Sequence, residues 1–298
     1  MAPLPPAPAR DRYAVIGHPI AHSRSPAIHA RFAASTAQAL DYGRIDAAPE
    51  AFVTAVRDFF EGGGRGLNVT VPHKEAAARL ADHLTDRARL AAAVNTLMQQ
   101  PDGTLLGDNT DGIGLMTDLA RLGIRVAGAR VLVLGAGGAT RGVLGPLLAA
   151  APAAVTIANR TPERAQALAA AFRAHAGAAD GTTPATRLSG CAYDALAEPA
   201  GDGPFDLVLH ATSLGLQGAT PPVPPGVLGP RSAAYDLGYG VPDTPFVRWA
   251  RAHGAARAEQ GFGMLIEQAA ESFRVWRGVR PDTTLLHQAP LQQEDVGH

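Results

Sequence analysis

Of the 298 residues only one is cysteine, Cys191, and only one is lysine, Lys74. A single thiol excludes a disulfide framework and a structural zinc site built on several thiolates. Cations as such are not scarce, because the other 25 basic side chains are arginine. Net charge is nearly absent: 26 basic residues against 27 acidic ones leave −1. That balance gives no electrostatic case for nucleic acid or an anionic membrane surface as partner. Long apolar runs are missing as well, each being broken by Gly, Pro or charge far short of the ~20 residues of a membrane span. The opening MAPLPPAPARDR reads as a loose tail, without the apolar stretch of about 7–15 residues that a secretory signal requires. A soluble cytoplasmic protein is the expectation.

Hydrophobic residues at 46% and charged ones at 18% describe a globular chain, and the length suggests about two domains. The lone lysine has two readings. Either a bias that replaces Lys with Arg spared one residue by accident, or Lys74 occupies a position that arginine cannot fill. Arginine stays protonated, whereas a lysine amine can shift its pKa and exchange a proton.

Short strands and helices alternate along the chain. Strands are expected near 13–16, 41–45, 66–71 and 93–98, with helices opening at Ser25-Pro26, near Pro49 and at Pro72–Glu75. Ser25 is a candidate N-cap, with Pro26 suited to the first helical position. Gly62–Gly64 ends the second helix. A second unit opens with a helix near 113–122, followed by buried strands at 130–134, 154–158, 207–210 and 233–237. Residues 217–230 read as a long Gly/Pro loop, and 264–276 as an amphipathic helix. This alternation implies largely parallel, covered sheets.

Directly after the apolar strand at 130–134 comes Gly135-Ala136-Gly137-Gly138-Ala139-Thr140, and then a helix. Such a turn lets backbone N–H groups approach a pyrophosphate at a helix N-terminus. The G-x-G-x-x-[GA] fingerprint fails at Thr140, so the strand–helix context carries the signal. An NAD enzyme usually ends the next strand in Asp or Glu, for the ribose 2′-hydroxyl. Here Asn159-Arg160-Thr161-Pro162-Glu163-Arg164 offers two guanidiniums and a hydroxyl, which suit a 2′-phosphate and hence NADP. Glu163 fits as a first-turn residue that complements the helix dipole.

Three polar clusters stand at strand ends: 22–26 (HSRSP), 68–74 (NVTVPHK), and Asn95-Thr96 with 108–112 (DNTDG). Ligands of parallel α/β sheets gather beyond the carboxyl ends of strands. Taken singly, each cluster is equally readable as a helix cap, a strand lining or an Asx-type turn. Together with Gly107–Gly112, Gly135–Ala139 followed by Arg141-Gly142, Asn159–Thr161 and Gly261–Leu265, they resemble the shikimate dehydrogenase family. Tyr13–Pro26 is similar to its substrate-carboxylate loop, and the motifs keep family order from residue 13 to about 280.

The resemblance implies a two-domain α/β fold with the active site in the cleft between the domains. Residues 1–111, completed by 264–298, would bind substrate, and 112–263 would form a Rossmann-type NADP domain. It implies reversible NADPH-dependent reduction of 3-dehydroshikimate to shikimate, by a monomer or homodimer. Ser23, Ser25 and Tyr239 would hold the carboxylate; Thr70, Asn95 and Gln268 the ring hydroxyls. Lys74 and Asp111 would flank the reacting carbon, with Lys74 the general acid/base and Asn68 supporting them. Gly135, Ala136, Gly137, Gly138 and Ala139 would cradle the pyrophosphate, with Asn159, Arg160, Thr161 and Arg164 at the 2′-phosphate. Leu237 and Gly261 would approach the nicotinamide, and Asp86 would lie on the cofactor side.

The residue types suit the chemistry independently. Hydride delivery to a ketone develops negative charge on oxygen, which an ammonium stabilises and protonates. A neighbouring carboxylate favours the charged amine and directs it. His18, His73 and His210 depart from the residues common at these positions, which gives His73 a rival proton-transfer role and puts His210 near the nicotinamide. Pro19 between His18 and His22 argues against a helical metal pair, and no metal is expected. Two alternatives stand beside the main reading: a quinate/shikimate relative with relaxed cofactor choice, and an idle NADPH-binding regulator, whose mark would be loss of Lys74 or Asp111.

Overall fold

The computed structural model describes residues 10–176, 185–196, 203–212, 214, 219–240 and 242–288. Two compact units divide the chain: residues 1–89, 93–110 and 268–298 form the first, residues 90–92 and 111–267 the second. The first contains β1 (Asp11–Gly17), α1 (Ser25–Ser35), β2 (Leu40–Asp46), α2 (Phe52–Glu61), β3 (Gly64–Val69), α3 (Lys74–Leu80), β4 (His83–Leu84), most of α4 (Asp86–Ala91), β5 (Thr96–Gln99) and β6 (Leu105–Asp108). The second contains α5 (Asp111–Arg121), β7 (Arg130–Leu134), α6 (Gly138–Ala149), β8 (Ala154–Ala158), α7 (Pro162–Phe172), β9 (Arg187–Cys191), β10 (Leu207–His210), β11 (Ala233–Asp236), α8 (Pro245–Ala252) and β12 (Arg257–Gln260). Helix α9 (Phe262–Arg277) begins in the second unit and ends in the first, where α10 (Thr284–Gln288) follows.

In the first unit the sheet order is β2-β1-β3-β5-β6-β4, and β5 runs antiparallel to both neighbours. Five of the six strands run the same way, as the alternation predicts, and β5 alone is reversed. Pro101-Asp102-Gly103 is the cause. Gly103 sits at φ +88°, and the Asp102 carboxylate accepts from the Thr104 amide and hydroxyl. This closes a tight hairpin into β6. Asp11 and Arg12 belong to β1 rather than to a tail; residues 1–9 lie outside the described ones. Helix α1 starts at Ser25, not after it, and Arg24 occupies the cap position with no side-chain cap bond. Ser25 is thereby left to other partners. Ala14, Ile16, Phe52, Val56, Leu67, Val69 and Leu97 build the core. Gly66 admits α9 to the sheet, because a Cβ there would meet the Trp276 indole at 2.5 Å.

The second unit's sheet has the order β12-β11-β10-β7-β8-β9, all parallel. Its unbroken apolar strands follow from burial on both faces. Val131 and Val133 pack in one core with Val155, Ile157 and Leu209, while Leu132 and Leu134 join Val208, Ala234 and Phe246 in the other. Burying each such side chain stabilises the fold by roughly 1.5–3 kcal/mol. Of the expected loop at 217–230, residues 217 and 218 lie outside the described ones, and Pro225–Val227 forms a short 3-10 turn. No helix among the described residues is long and apolar enough to cross a membrane.

One buried group makes the first unit sensitive to acid. His29 on α1 is fully buried, its ring stacked 4.2 Å from that of Tyr42 and tilted against Trp276. Neither ring nitrogen has a hydrogen-bond partner. Burial pushes its pKa from 6.5 down to about 3, with the nearby Asn68 side chain opposing only in part. Between those values the unfolded chain binds a proton that the folded chain does not. Stability therefore falls as pH falls below 6.5, by at most about 1.4 kcal/mol per pH unit. His29→Phe keeps ring contacts and removes the proton site. Thermal melts between about pH 7 and about pH 5 should lose less Tm in this variant than in the parent; equal losses would contradict the assignment.

Candidate active site

The sheet of the first unit carries its polar residues at the ends of β3 and β5 and on α9, where they form one buried layer. The Asn95 amide nitrogen donates to Thr110 Oγ1 at 2.9 Å and to Gln268 Oε1 at 3.1 Å. Its oxygen accepts from the Thr110 amide at 2.9 Å and the Thr96 hydroxyl at 2.8 Å. Asn68 donates to the Asn95 carbonyl at 3.2 Å and to Ser272 Oγ at 3.0 Å, and accepts from the Tyr42 hydroxyl at 2.7 Å. Asn68, Asn95 and Gln268 are thus brought together with Thr96 and Thr110 of the polar clusters, and Tyr42 and Ser272, which sequence reasoning missed, complete the set. Ser272 stands one helical turn from Gln268, a spacing that could have signalled it.

Ser23 and Ser25 meet directly, with hydroxyl oxygens 3.3 Å apart and the Ser25 amide 3.3 Å from Ser23 Oγ. The Thr70 amide donates to Ile16 O at 3.0 Å. A Cβ on Gly17 would lie 2.4 Å from Thr70 Cγ2, so glycine is required for this approach. Alternate residues of β2 brace the whole region from behind. Tyr42 holds Asn68; Arg44 donates through Nε at 3.1 Å and Nη2 at 2.7 Å to the Ser23 carbonyl. Asp46 accepts from the Ile20 amide and lies 2.6 Å from His18 Nδ1. Hydrogen bonding to His18 lowers the Asp46 pKa. Burial raises that of Tyr42, with the Ser25 hydroxyl and the Arg44 charge opposing.

Lys74 is the first residue of α3, and its carbonyl accepts from the Val94 amide at 2.9 Å. The preceding residue, His73, turns its ring inward. It is buried, bonds Ala47 O through Nε2 at 2.7 Å and stacks on Phe52 at 4.4 Å. Burial lowers its pKa, and the rival proton-transfer role does not suit such a ring. Asp111 opens α5 and is buried; Lys74 and Asp111 fall in different units. The neighbouring Asp108 is clamped at 2.5–2.6 Å by Arg87 and Thr85. Burial alone would raise its pKa, but these donors bring it below the usual range. Arg87 also reaches Glu271 on α9 at 3.0 Å. Glu271 is held at about 2, chiefly by hydrogen bonding to Arg274. Asp86 is fully exposed at the start of α4 and pairs with Arg89 at 2.6 Å.

In the second unit the strand order reverses direction between β7 and β10, the place where parallel sheets leave a ligand crevice. Gly135 follows β7 at φ +111°, and a Cβ there would meet Thr212 Cγ2 at 3.0 Å and Ala211 O at 3.1 Å. Gly137 caps α6 with no side-chain cap bond, and a Cβ placed on it would find nothing within 4 Å. Ala136, Gly138 and Ala139 complete this turn, and the helix N-terminus favours an anion. Thr140, the fingerprint's departure, is fully buried and donates to Gly135 O at 2.8 Å, so its hydroxyl stabilises the turn.

Asn159 donates to Thr161 O at 2.9 Å, while Thr161 occupies the cap position before α7 with no side-chain cap bond. Arg160 and Arg164 are exposed. Leu237 and Gly261 come into contact: a Cβ on Gly261 would meet Leu237 O at 2.4 Å. Tyr239 packs edge-on against Phe262 at 6.1 Å. His210 ends β10, fully buried, with Nδ1 at 2.9 Å from Asp236 Oδ1 and Nε2 at 2.6 Å from Thr212 Oγ1. It ties the loop after β10 to the end of β11.

This arrangement agrees with what the chain is similar to. Residues 15–97 match the shikimate dehydrogenase substrate binding domain, residues 118–184 shikimate / quinate 5-dehydrogenase, and residues 261–289 the shikimate 5'-dehydrogenase C-terminal domain. A shikimate dehydrogenase (NADP(+)) from Aeromonas hydrophila subsp. hydrophila is 52% identical over 92% of this chain and 94% of its own. Among solved structures, an Ael1 enzyme from Pseudomonas putida has a TM-score of 0.79 at 44% identity, covering 95% of this chain and 100% of that one. Shikimate 5-dehydrogenase from Thermus thermophilus, in complex with NADP(H) and shikimate, has a TM-score of 0.77 at 36% identity, covering 93% and 97%. The chain belongs to the shikimate dehydrogenase family.

Proposed function

We propose that this protein catalyses the reversible NADPH-dependent reduction of 3-dehydroshikimate to shikimate, the step that feeds chorismate and aromatic amino acid biosynthesis. The observation that carries the reading is the buried layer of Asn68, Asn95 and Gln268 beside the Ser23–Ser25 hydroxyl pair. It supplies many hydrogen-bonding groups in a small region, as a polyhydroxylated ring with a carboxylate requires. Ser23 and Ser25 donate to the carboxylate, with Tyr239 assisting. Thr70, Asn95 and Gln268 hold ring hydroxyls, and Asn68 keeps Asn95 in place.

Lys74 and Asp111 act at the reacting carbon. In the reduction Lys74 protonates the oxygen as charge develops on it, and in the reverse direction it takes that proton back. Asp111 favours the ammonium form and sets its direction. NADP, when bound, supplies or accepts the hydride. The residues present fit it: the open turn at Gly137 and the start of α6 suit a pyrophosphate. Asn159, Arg160, Thr161 and Arg164 suit the 2′-phosphate, and Leu237 and Gly261 border the nicotinamide. Asp86, exposed and paired with Arg89, contributes at most to the cofactor's approach. We place residues 1–111 with 264–298 as the substrate domain and 112–263 as the NADP domain. We further propose a cytoplasmic monomer or homodimer, and a net charge of −1 gives no electrostatic case for nucleic-acid or membrane partners.

The direct test supplies shikimate or quinate with NADP or NAD and follows nicotinamide absorbance. Turnover should be fastest with shikimate and NADP, and none with that pair would overturn the reading. For the cofactor, replacing Arg160 and Arg164 together by alanine should raise KM for NADP roughly ten- to a hundredfold, from the loss of charge-assisted bonds. KM for NAD should stay nearly constant, and parallel changes for both nucleotides would remove the arginines from the 2′-phosphate.

A further inference from the structure

The Ser23–Ser25 pair supplies hydroxyl donors but no positive charge, and a carboxylate taken out of water onto neutral donors is poorly compensated. The structure holds a cation directly behind the pair. Arg44 projects from the edge strand β2 and grips the Ser23 carbonyl through two guanidinium nitrogens, at 3.1 and 2.7 Å. Both bonds go to one neutral oxygen. No ion pair joins Arg44 to a carboxylate among the described residues, although Asp46, two positions on along the same strand, is engaged by His18 and the Ile20 amide. The guanidinium is partly buried, so its charge is less screened than at an open surface. Its charge opposes the rise that burial gives the Tyr42 pKa.

We propose that Arg44 is a positioning residue that makes the two-serine pair selective for a carboxylate. It fixes the Ser23 backbone, and thereby both hydroxyls, and its uncompensated charge lowers the cost of placing an anion in front of them. This rests on the reading of Ser23 and Ser25 as the carboxylate site. A braced loop alone would serve a neutral ligand equally well; the charge serves only the acid.

The test measures Kd by calorimetry for shikimate and for its uncharged methyl ester, with the parent protein, Arg44→Lys and Arg44→Met. Arg44→Met should weaken shikimate binding roughly tenfold or more and ester binding by less than about threefold, narrowing the parent's preference for the acid. Arg44→Lys, which keeps the charge and loses the fork, should recover most of that preference even where both ligands bind more weakly. Equal losses for acid and ester in Arg44→Met would overturn the role of Arg44 alone, since a purely structural brace gives that pattern. Failure of the parent protein to bind shikimate would overturn the reading of the serine pair and this proposal with it.

Discussion

The first unit depends on a single buried amide. The Asn95 side chain bonds Thr96, Thr110 and Gln268, and the backbone Thr110 N–H fixes which way the amide faces. Its own backbone donates to Asp108 O at 3.0 Å and accepts from Val69 N at 2.8 Å. One residue therefore joins β3, β5, the end of β6 and α9. Leaving any one of these groups unpaired in a buried site costs about 1–3 kcal/mol. Lys74 is tied through its carbonyl to the residue before Asn95, and Asp111 follows Thr110, whose amide the Asn95 side chain holds.

The second unit relies on the opposite device, the absence of side chains. Gly135, Gly261 and Gly263 stand where a Cβ would run into backbone or into the Asp118 carboxylate. Asp118 in turn accepts from the buried Tyr235 hydroxyl at 2.7 Å, and that oxygen receives the Met264 amide at 3.3 Å. Close approach lets backbone amides face a phosphate, and a buried carboxylate with its tyrosine secures the start of α9.

Much of this is legible in the sequence, for identifiable reasons. Strands buried on both faces announce themselves as unbroken apolar runs, so 130–134, 154–158 and 207–210 read true to the residue. The glycine turn and the arginine-bearing end of β8 are local in sequence and chemically distinctive. What escapes is non-local or short. The antiparallel β5 hinges on one Pro-Asp-Gly turn, while β4, β9 and β12 are edge strands or have little apolar signal. Ser25 resembles a helix cap because the spacing suits one, yet its hydroxyl lies against Ser23 instead. Tyr42, Arg44 and Asp46 alternate along a strand that sequence reading finds, but their targets lie up to 28 residues away in the chain. His73 stands out as a titratable neighbour of Lys74, and only its stack on Phe52 shows it as core.

The single lysine draws these strands together. Twenty-five of 26 basic residues are arginine, and the exception stands at the head of α3, its carbonyl bonded by Val94, the residue before Asn95. If it is there to move a proton, retaining the charge without a releasable proton will not suffice. The most direct measurement compares Lys74→Arg with the parent protein in kcat and in shikimate Kd. The account predicts that kcat collapses by roughly two to four orders of magnitude while shikimate binding survives largely intact; near-parental turnover in that variant would contradict it.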